Sequence, residues 1–171
     1  MRRTEVLRIE EHKATVARFD ELTGASELDA LDEICTADMV NHALASHRPA
    51  GLAGTKQFLA ESERDPGKAA WRRSMMFDQR VVTVAEGEYV IQLGKRAGTW
   101  PGGRFRGIDI PAGGYEYGVA FMYRFSDGRI AERWAVRDDL GMILQLTAAS
   151  PQSVIDGAAR PRGPSRVGGR Q

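Results

Sequence analysis

From Tyr115 to Phe125 every second residue is large and apolar: Tyr115, Tyr117, Val119, Phe121, Tyr123 and Phe125. A period of two predicts a strand with one apolar face. Asp127-Gly128 follows, and this dipeptide is a strong signal for a two-residue hairpin turn because both positions tolerate positive φ. Ile130, Trp134 and Val136 continue the alternation on a returning strand, with Asp138 on the same face. The turn sets the expected pairs: Ser126 with Arg129, Phe125 with Ile130, Tyr123 with Glu132, Phe121 with Trp134, and Tyr117 with Asp138. Opposed side chains in such a ladder lie roughly 4.5–5.5 Å apart at Cβ. Asp138 therefore ends an apolar, aromatic stripe beside a phenol. A carboxylate in an apolar wall has its charged form disfavoured, which makes it a useful proton acceptor. Asp is also a preferred helix N-cap, and a helix is expected at 139–146, so capping is an equally open role for Asp138.

Upstream, Val6, Ile9, Lys13, Val16, Ala17 and Leu22 lie near helical spacing, and Gly24 stops that helix. Ser26 is placed to cap a short second helix whose inner side is Leu28, Leu31 and Ile34. Asp38 to His42 is short and β-like. Pro49 and Gly51 open a third helix with Leu52, Phe58 and Leu59 inward, ended by Arg64-Asp65-Pro66-Gly67. Two strands are expected at 75–85 and 88–96, the second with Tyr89, Ile91 and Leu93 on one side. A glycine-rich loop at 98–114, with a short strand around Phe105, precedes the long hairpin. Helices followed by antiparallel strands define an α+β layout. A curved sheet with helices over its concave side makes a cone, and such a cone encloses an apolar cavity suited to a small molecule.

The length of 171 residues fits one domain, and beyond Thr147 the composition turns to Pro, Gly, Ser and Arg without periodicity. The expected division is a domain at 1–147 and a disordered tail at 148–171. A net charge of +1 argues against nucleic acid as a partner. No apolar run approaches the roughly 20 residues that span a bilayer. The N-terminus lacks the apolar core of a secretory signal, so the expected location is cytoplasmic. Cys35 stands alone and reads as a buried thiol. His12, His42 and His47 have no metal-ligand spacing, and no dinucleotide, phosphate-loop or nucleophile-elbow motif occurs. Neither cofactor nor metal is expected.

Several segments resemble one family when taken together. They are Asn41-His42, Gly51 to Phe58, Gly98-Thr99 to Phe105-x-Gly107, and Asp127-Gly128-Arg129-Ile130-x-Glu132-x-Trp134-x-x-x-Asp138-x-x-Gly141-x-x-x-Gln145-Leu146. Over residues 8–146 the chain resembles the SnoaL-like polyketide cyclases of the nuclear-transport-factor-2-like superfamily. The resemblance implies a cone whose N-terminal helices pack over the concave face of a curved antiparallel sheet. It also implies cofactor-free intramolecular aldol closure of an anthracycline-type polyketide ester, with Asp138 as acid/base. His42 would face the cavity and bind a substrate oxygen or tune Asp138. Asn41, Phe58, Met76, Trp100, Tyr117, Phe121 and Trp134 would contact the substrate. The family commonly has a His where Trp100 stands, and Trp cannot relay a proton, although it can stack and donate. Other reactions on the same cone stay open: hydroxylation, spiroketal or pyran closure, epoxide hydrolysis and isomerisation. So does a non-catalytic binding or dimerisation module. An apolar outer sheet face would need a cover, which predicts a homodimer or homotetramer.

Overall fold

The computed structural model describes residues 3–44, 47–64 and 79–148. The expected tail and Met76 lie outside the described residues. Helix α1 (Arg3–Ala25) is followed by a single 3-10 turn (Leu28–Ala30), α2 (Leu31–Ile34), β1 (Cys35–Asn41) and α3 (Gly51–Arg64). Six strands follow: β2 (Gln79–Glu86), β3 (Tyr89–Trp100), β4 (Gly103–Phe105), β5 (Ile108–Ile110), β6 (Gly113–Ser126) and β7 (Arg129–Arg137). Helix α4 (Asp139–Thr147) ends the described chain.

One five-stranded sheet has the order β1-β7-β6-β3-β2, and β4 and β5 form a separate small hairpin. The chain is α+β as expected, with one correction: the sheet is mixed, because β1 runs parallel to β7. Register shifts interrupt β1/β7, β2/β3 and β6/β7. Bulges of this kind bend and twist a sheet, and here they curve it around α1. Two boundaries also differ from the sequence reading. Ser26 adopts φ 62° instead of capping a helix, and the strand expected at 38–42 starts three residues earlier, at Cys35.

The core lies between the helices and the inner face of the sheet. Val16, Phe19 and Leu22 of α1 meet Tyr123 and Phe125 of β6, with Phe19 edge-on to Tyr123 at 5.7 Å. Leu31, Met39 and Leu52 extend this core under α2, β1 and α3, and Met142 and Ile143 of α4 close it at the far end. Cys35 is buried here, and loss of solvation pushes its thiol up to about 12, which leaves it unreactive. Gly51 opens α3 at φ 75°, where a Cβ would press on the Ala37 carbonyl. This conformation and this closeness suit only glycine.

His12 is buried in α1 with its ring stacked on Phe125 at 4.0 Å. Burial, then the Arg8 charge, lower its pKa below 6.5. The unfolded chain takes up this proton near pH 6.5, and the folded chain takes it up only at lower pH. Stability is therefore complete above pH 6.5 and falls on acidification, by at most about 1.4 kcal/mol per pH unit. Thermal denaturation at pH 7.5 and 5.5 should show the drop in the wild type and lose most of it in His12→Phe. Equal drops in both proteins would assign the pH dependence to other groups.

Candidate functional site

The site is governed by one irregularity in the β6–β7 hairpin. Ser126 pairs with Arg129 and Phe125 with Ile130, as the Asp-Gly turn predicts. The register then shifts, and Arg124 pairs with Glu132, Tyr123 with Arg133, Met122 with Trp134 and Val119 with Arg137. Ala131 is the extra residue. Since neighbouring side chains point to opposite faces, one inserted residue exchanges the faces of all that follow. The expected pairs Tyr123–Glu132, Phe121–Trp134 and Tyr117–Asp138 are therefore not formed. Arg133, Ala135 and Arg137 join Tyr123, Phe121 and Val119 on the inner face. Glu132, Trp134 and Val136 turn outward.

The inner face is thus cationic as well as aromatic. Across it, Val90, Tyr123 and Arg133 make one row, Gln92, Phe121 and Ala135 the next, and Gly94, Val119 and Arg137 a third. Arg96 stands opposite Tyr117 beyond them and is only 5 % exposed. The guanidiniums of Arg96 and Arg133 lie 4.7 and 4.5 Å from the Phe121 ring centroid. Burial lowers the Arg96 pKa, Tyr117 opposes this, and Arg133 and Arg137 add to the depression. Arg96 Nε and Arg133 Nε are buried without a hydrogen-bond partner, while the Tyr117 and Tyr123 phenols interact with the Arg96 and Arg133 guanidiniums. Burial pushes the Tyr123 phenol up to about 12, so it stays protonated and a donor. A buried polar group left unpaired costs about 1–3 kcal/mol, so this arrangement suits an incoming acceptor.

At the end of β7 that β1 leaves uncovered lies a pocket of about 530 Å³, lined by His42, Leu44, Arg106, Ala135, Arg137 and Asp139 among others. Asp139 Oδ2 accepts from Arg106 at 2.7 Å and from Arg137 at 3.4 Å, while its buried Oδ1 has no partner. Arg106 has φ 49° in the tight β4–β5 turn, which carries its side chain towards α4.

The residues singled out from the sequence divide. Tyr117 and Phe121 are on the inner face, as expected. Asn41 also faces inward: its amide donates to Thr55 Oγ1 at 3.3 Å, and its carbonyl accepts from Arg133 at 3.4 Å. Trp100 ends β3, half-buried and edge-on to Phe105 at 5.5 Å. Phe58 is half-buried on α3, with the Arg48 guanidinium 5.6 Å from its ring. Trp134 is on the outer face, stacked against His42 at 4.6 Å. His42 Nε2 is 2.9 Å from Glu132 Oε2, so the ring borders the mouth pocket from outside and does not enter the concave side. His42 and Arg124 hold the Glu132 carboxyl below the usual carboxylate range.

Asp138 is exposed and caps α4, its Oδ1 accepting from Gly141 N–H at 2.7 Å. It is not set in an apolar wall. A Cβ on Gly141 would collide with the Asp138 carboxylate, which explains the Asp-x-x-Gly spacing as a capping requirement. Sequence reading missed Arg96, Arg133 and Arg137, because charged residues inside an alternating strand read as its solvent side. Arg96 could have been noticed, since it shares the parity of Val90, Gln92 and Gly94, opposite to that of Tyr89, Ile91 and Leu93.

A curved, unclosed mixed sheet wrapped on N-terminal helices defines an α+β cone. The sequence profile of the SnoaL-like polyketide cyclases matches residues 13–146, and the chain belongs to this family. Its fold is shared with a SnoaL-like polyketide cyclase from Agrobacterium tumefaciens at 16 % identity and TM-score 0.60, covering 79 % of this chain and 97 % of that one. IdmH from Streptomyces antibioticus, a provisionally described polyketide cyclase, matches at 24 % identity and TM-score 0.56 over 79 % and 97 % of the two chains. AclR from Streptomyces galilaeus, a provisionally described hydroxylase, matches at 16 % identity and TM-score 0.56 over 83 % and 99 %. Comparison with curated proteins finds no match. No helix among the described residues is long and apolar enough to cross a membrane.

The cap predicts a separation of Asp138 variants by stability. Asp138→Ala should lose about 1 kcal/mol, while Asp138→Asn keeps the acceptor and should unfold at the wild-type temperature. Chemical denaturation of the three proteins checks this, and an unshifted Asp138→Ala midpoint would remove the cap from the account.

Proposed function

We propose that this protein is a cofactor-free polyketide cyclase that closes a ring by an aldol-type step. The observation that carries the reading is the row of buried inner-face donors around Phe121, together with Asp139 in the mouth pocket and Asp138 beside it in the chain. A poly-carbonyl chain is flat when conjugated and rich in acceptor oxygens, so it answers both features. An aspartate removes a proton from an acidic carbon between two carbonyls, the enolate carbon attacks a second carbonyl, and the same carboxyl returns the proton to the alkoxide. Tyr117, Arg96 and Arg133 offer donors where enolate charge develops, in a region sheltered from water. Asn41 orients the Arg133 guanidinium.

Asp138 is the proposed acid/base. It occupies the aspartate position of the family motif, it is open to solvent, and its one described hydrogen bond engages Oδ1 alone. A second assignment is favoured by the buried, unpartnered Oδ1 of Asp139, which lines the mouth pocket where Asp138 does not. The two are separated by turnover of aromatic polyketide substrates, each supplied as matched acid and methyl ester. Asp138→Asn should lower kcat at least about 100-fold with an unchanged melting temperature. A loss confined to Asp139→Asn would move the role to that residue. Full activity in both variants would end the aspartate mechanism.

We also propose that the outer sheet face pairs with a second copy of the chain. Val82, Val84, Tyr89, Leu93 and Val136 are all exposed there, Val136 by 71 %. Their alignment across β2, β3 and β7 makes a continuous apolar surface of the kind that marks an interface. Light scattering should give twice the 18.8 kDa chain mass, and Leu93→Arg should give the monomer. A monomeric wild type would overturn the pairing.

A further inference from the structure

We propose that the mouth pocket binds a flat substrate edge bearing a carbonyl and a hydroxyl, the carbonyl on the Ala135 N–H and the hydroxyl on His42 Nδ1. This rests on the cyclase reading and narrows its substrate class to oxygenated rings or enols with a free hydroxyl.

The pocket begins where a ladder is cut short. β1 runs beside β7 as far as the Asn41–Arg133 pair, and the His42 N–H still donates to the Arg133 carbonyl at 2.9 Å. The next two amides are diverted by Asn41. Its backbone carbonyl accepts from the Leu44 N–H at 3.1 Å, and its side-chain oxygen accepts from the Ala43 N–H at 3.2 Å. Such a turn, closed by an asparagine side chain, takes the chain away from β7. Along a strand, alternate residues direct their N–H and C=O to the same neighbour. Arg133 gives its carbonyl to the β1 side, so Ala135 turns both backbone groups to that side, where β1 has ended. No described hydrogen bond engages either group, and Ala135 lines the pocket. The broken ladder thus leaves a backbone donor and acceptor facing a cavity of about 530 Å³, a size that suits a small molecule.

His42 borders the same cavity with its ring held in place. It stacks on Trp134 with 8° between the planes, and its Nε2 lies 2.9 Å from Glu132 Oε2. Arg124 holds that carboxylate through Oε1 at 2.6 Å. An ionised carboxylate only accepts, so the proton of the neutral ring sits on Nε2 and Nδ1 is left as an acceptor. No described hydrogen bond engages Nδ1. A cationic donor would meet the Arg106 and Arg137 guanidiniums in this pocket, and an anion would meet the Asp139 carboxylate. A neutral hydroxyl avoids both, and an enolised poly-carbonyl chain carries hydroxyl and carbonyl along one flat edge.

The test titrates the 15N-labelled full chain at pH 8 with 2-(hydroxymethyl)anthraquinone and 2-methylanthraquinone, two neutral probes that differ by one hydroxyl. The hydroxyl compound should bind about tenfold more tightly and should shift the Ala135 amide and the His42 ring nitrogens. His42→Phe keeps a ring against Trp134 but removes the acceptor, so the two compounds should bind it equally. Ala135→Pro removes the N–H and should weaken both compounds by about tenfold. Should Ala135→Pro fail to fold by circular dichroism, the Ala135 amide shift in the wild type carries the same reading. Equal binding of the two compounds by the wild type, or a hydroxyl preference retained in His42→Phe, overturns the site and leaves the ring-closure reading to the aspartate variants. Binding that leaves the Ala135 amide unmoved overturns it as well. Binding of neither compound removes the pocket as a substrate site.

Discussion

The extra residue at Ala131 decides which half of β7 the helices see. Up to Ile130 the strand follows the alternation of β6, and Ile130 is fully buried. After Ala131 the parity is reversed, so Arg133, Ala135 and Arg137 face the interior while Glu132, Trp134 and Val136 face out. Without the bulge the interior would hold Glu132, Trp134, Val136 and Asp138, carboxylates and apolar groups with no cation among them. With it, arginine side chains enter from one strand and meet Arg96 from another across β6. The bulge also bends β7, so the polar end of the hairpin curls over the concave side.

Burying these arginines is tolerable because of what surrounds them. Phe121 presents a ring to both Arg96 and Arg133, and a desolvated cation–π contact is worth about 2 kcal/mol. The long aliphatic stems also pack against the aromatic row, so much of each side chain behaves as an apolar group. Yet the unpartnered Nε atoms of Arg96 and Arg133 remain a standing loss. Proteins keep such local losses chiefly where a ligand relieves them. The same positions would be filled more stably by leucine or phenylalanine in a core that had only to fold.

At the other end of the site, two adjacent aspartates have diverged. Asp138 stops the strand and caps α4, while Asp139, the first residue of the helix, turns its carboxylate to Arg106 and Arg137. The cap fixes where α4 begins, and α4 in turn places Met142 and Ile143 on the core. Gln145 then bridges back to β6, donating to the Glu116 carbonyl at 2.6 Å and accepting from the Glu116 N–H at 2.9 Å. The mouth is therefore a rigid junction of strand, helix and hairpin, and its geometry depends on local capping chemistry as much as on burial.

The family motif, the helices and the strands were legible in the sequence because each rests on local rules. The period of two along Tyr115–Phe125, the Asp-Gly turn and the first two hairpin pairs all appear as read. The site was legible only in part. Tyr117 and Phe121 stay inward because β6 is regular, and Asn41 faces inward beside them. Trp134 was read on the wrong face because the alternation was carried straight through Ala131, and His42, placed by the family match, stacks on Trp134 on that outer face. A bulge changes no residue type and leaves no composition signal, so periodicity cannot detect it. What the sequence alone determined was the set of elements, their order and the family, since propensity and turn chemistry act over a few residues. Which face of β7 became the interior was decided by tertiary structure. There the packing of α1, α3 and α4 selects one register, and a shift of one residue inverts every side chain beyond it.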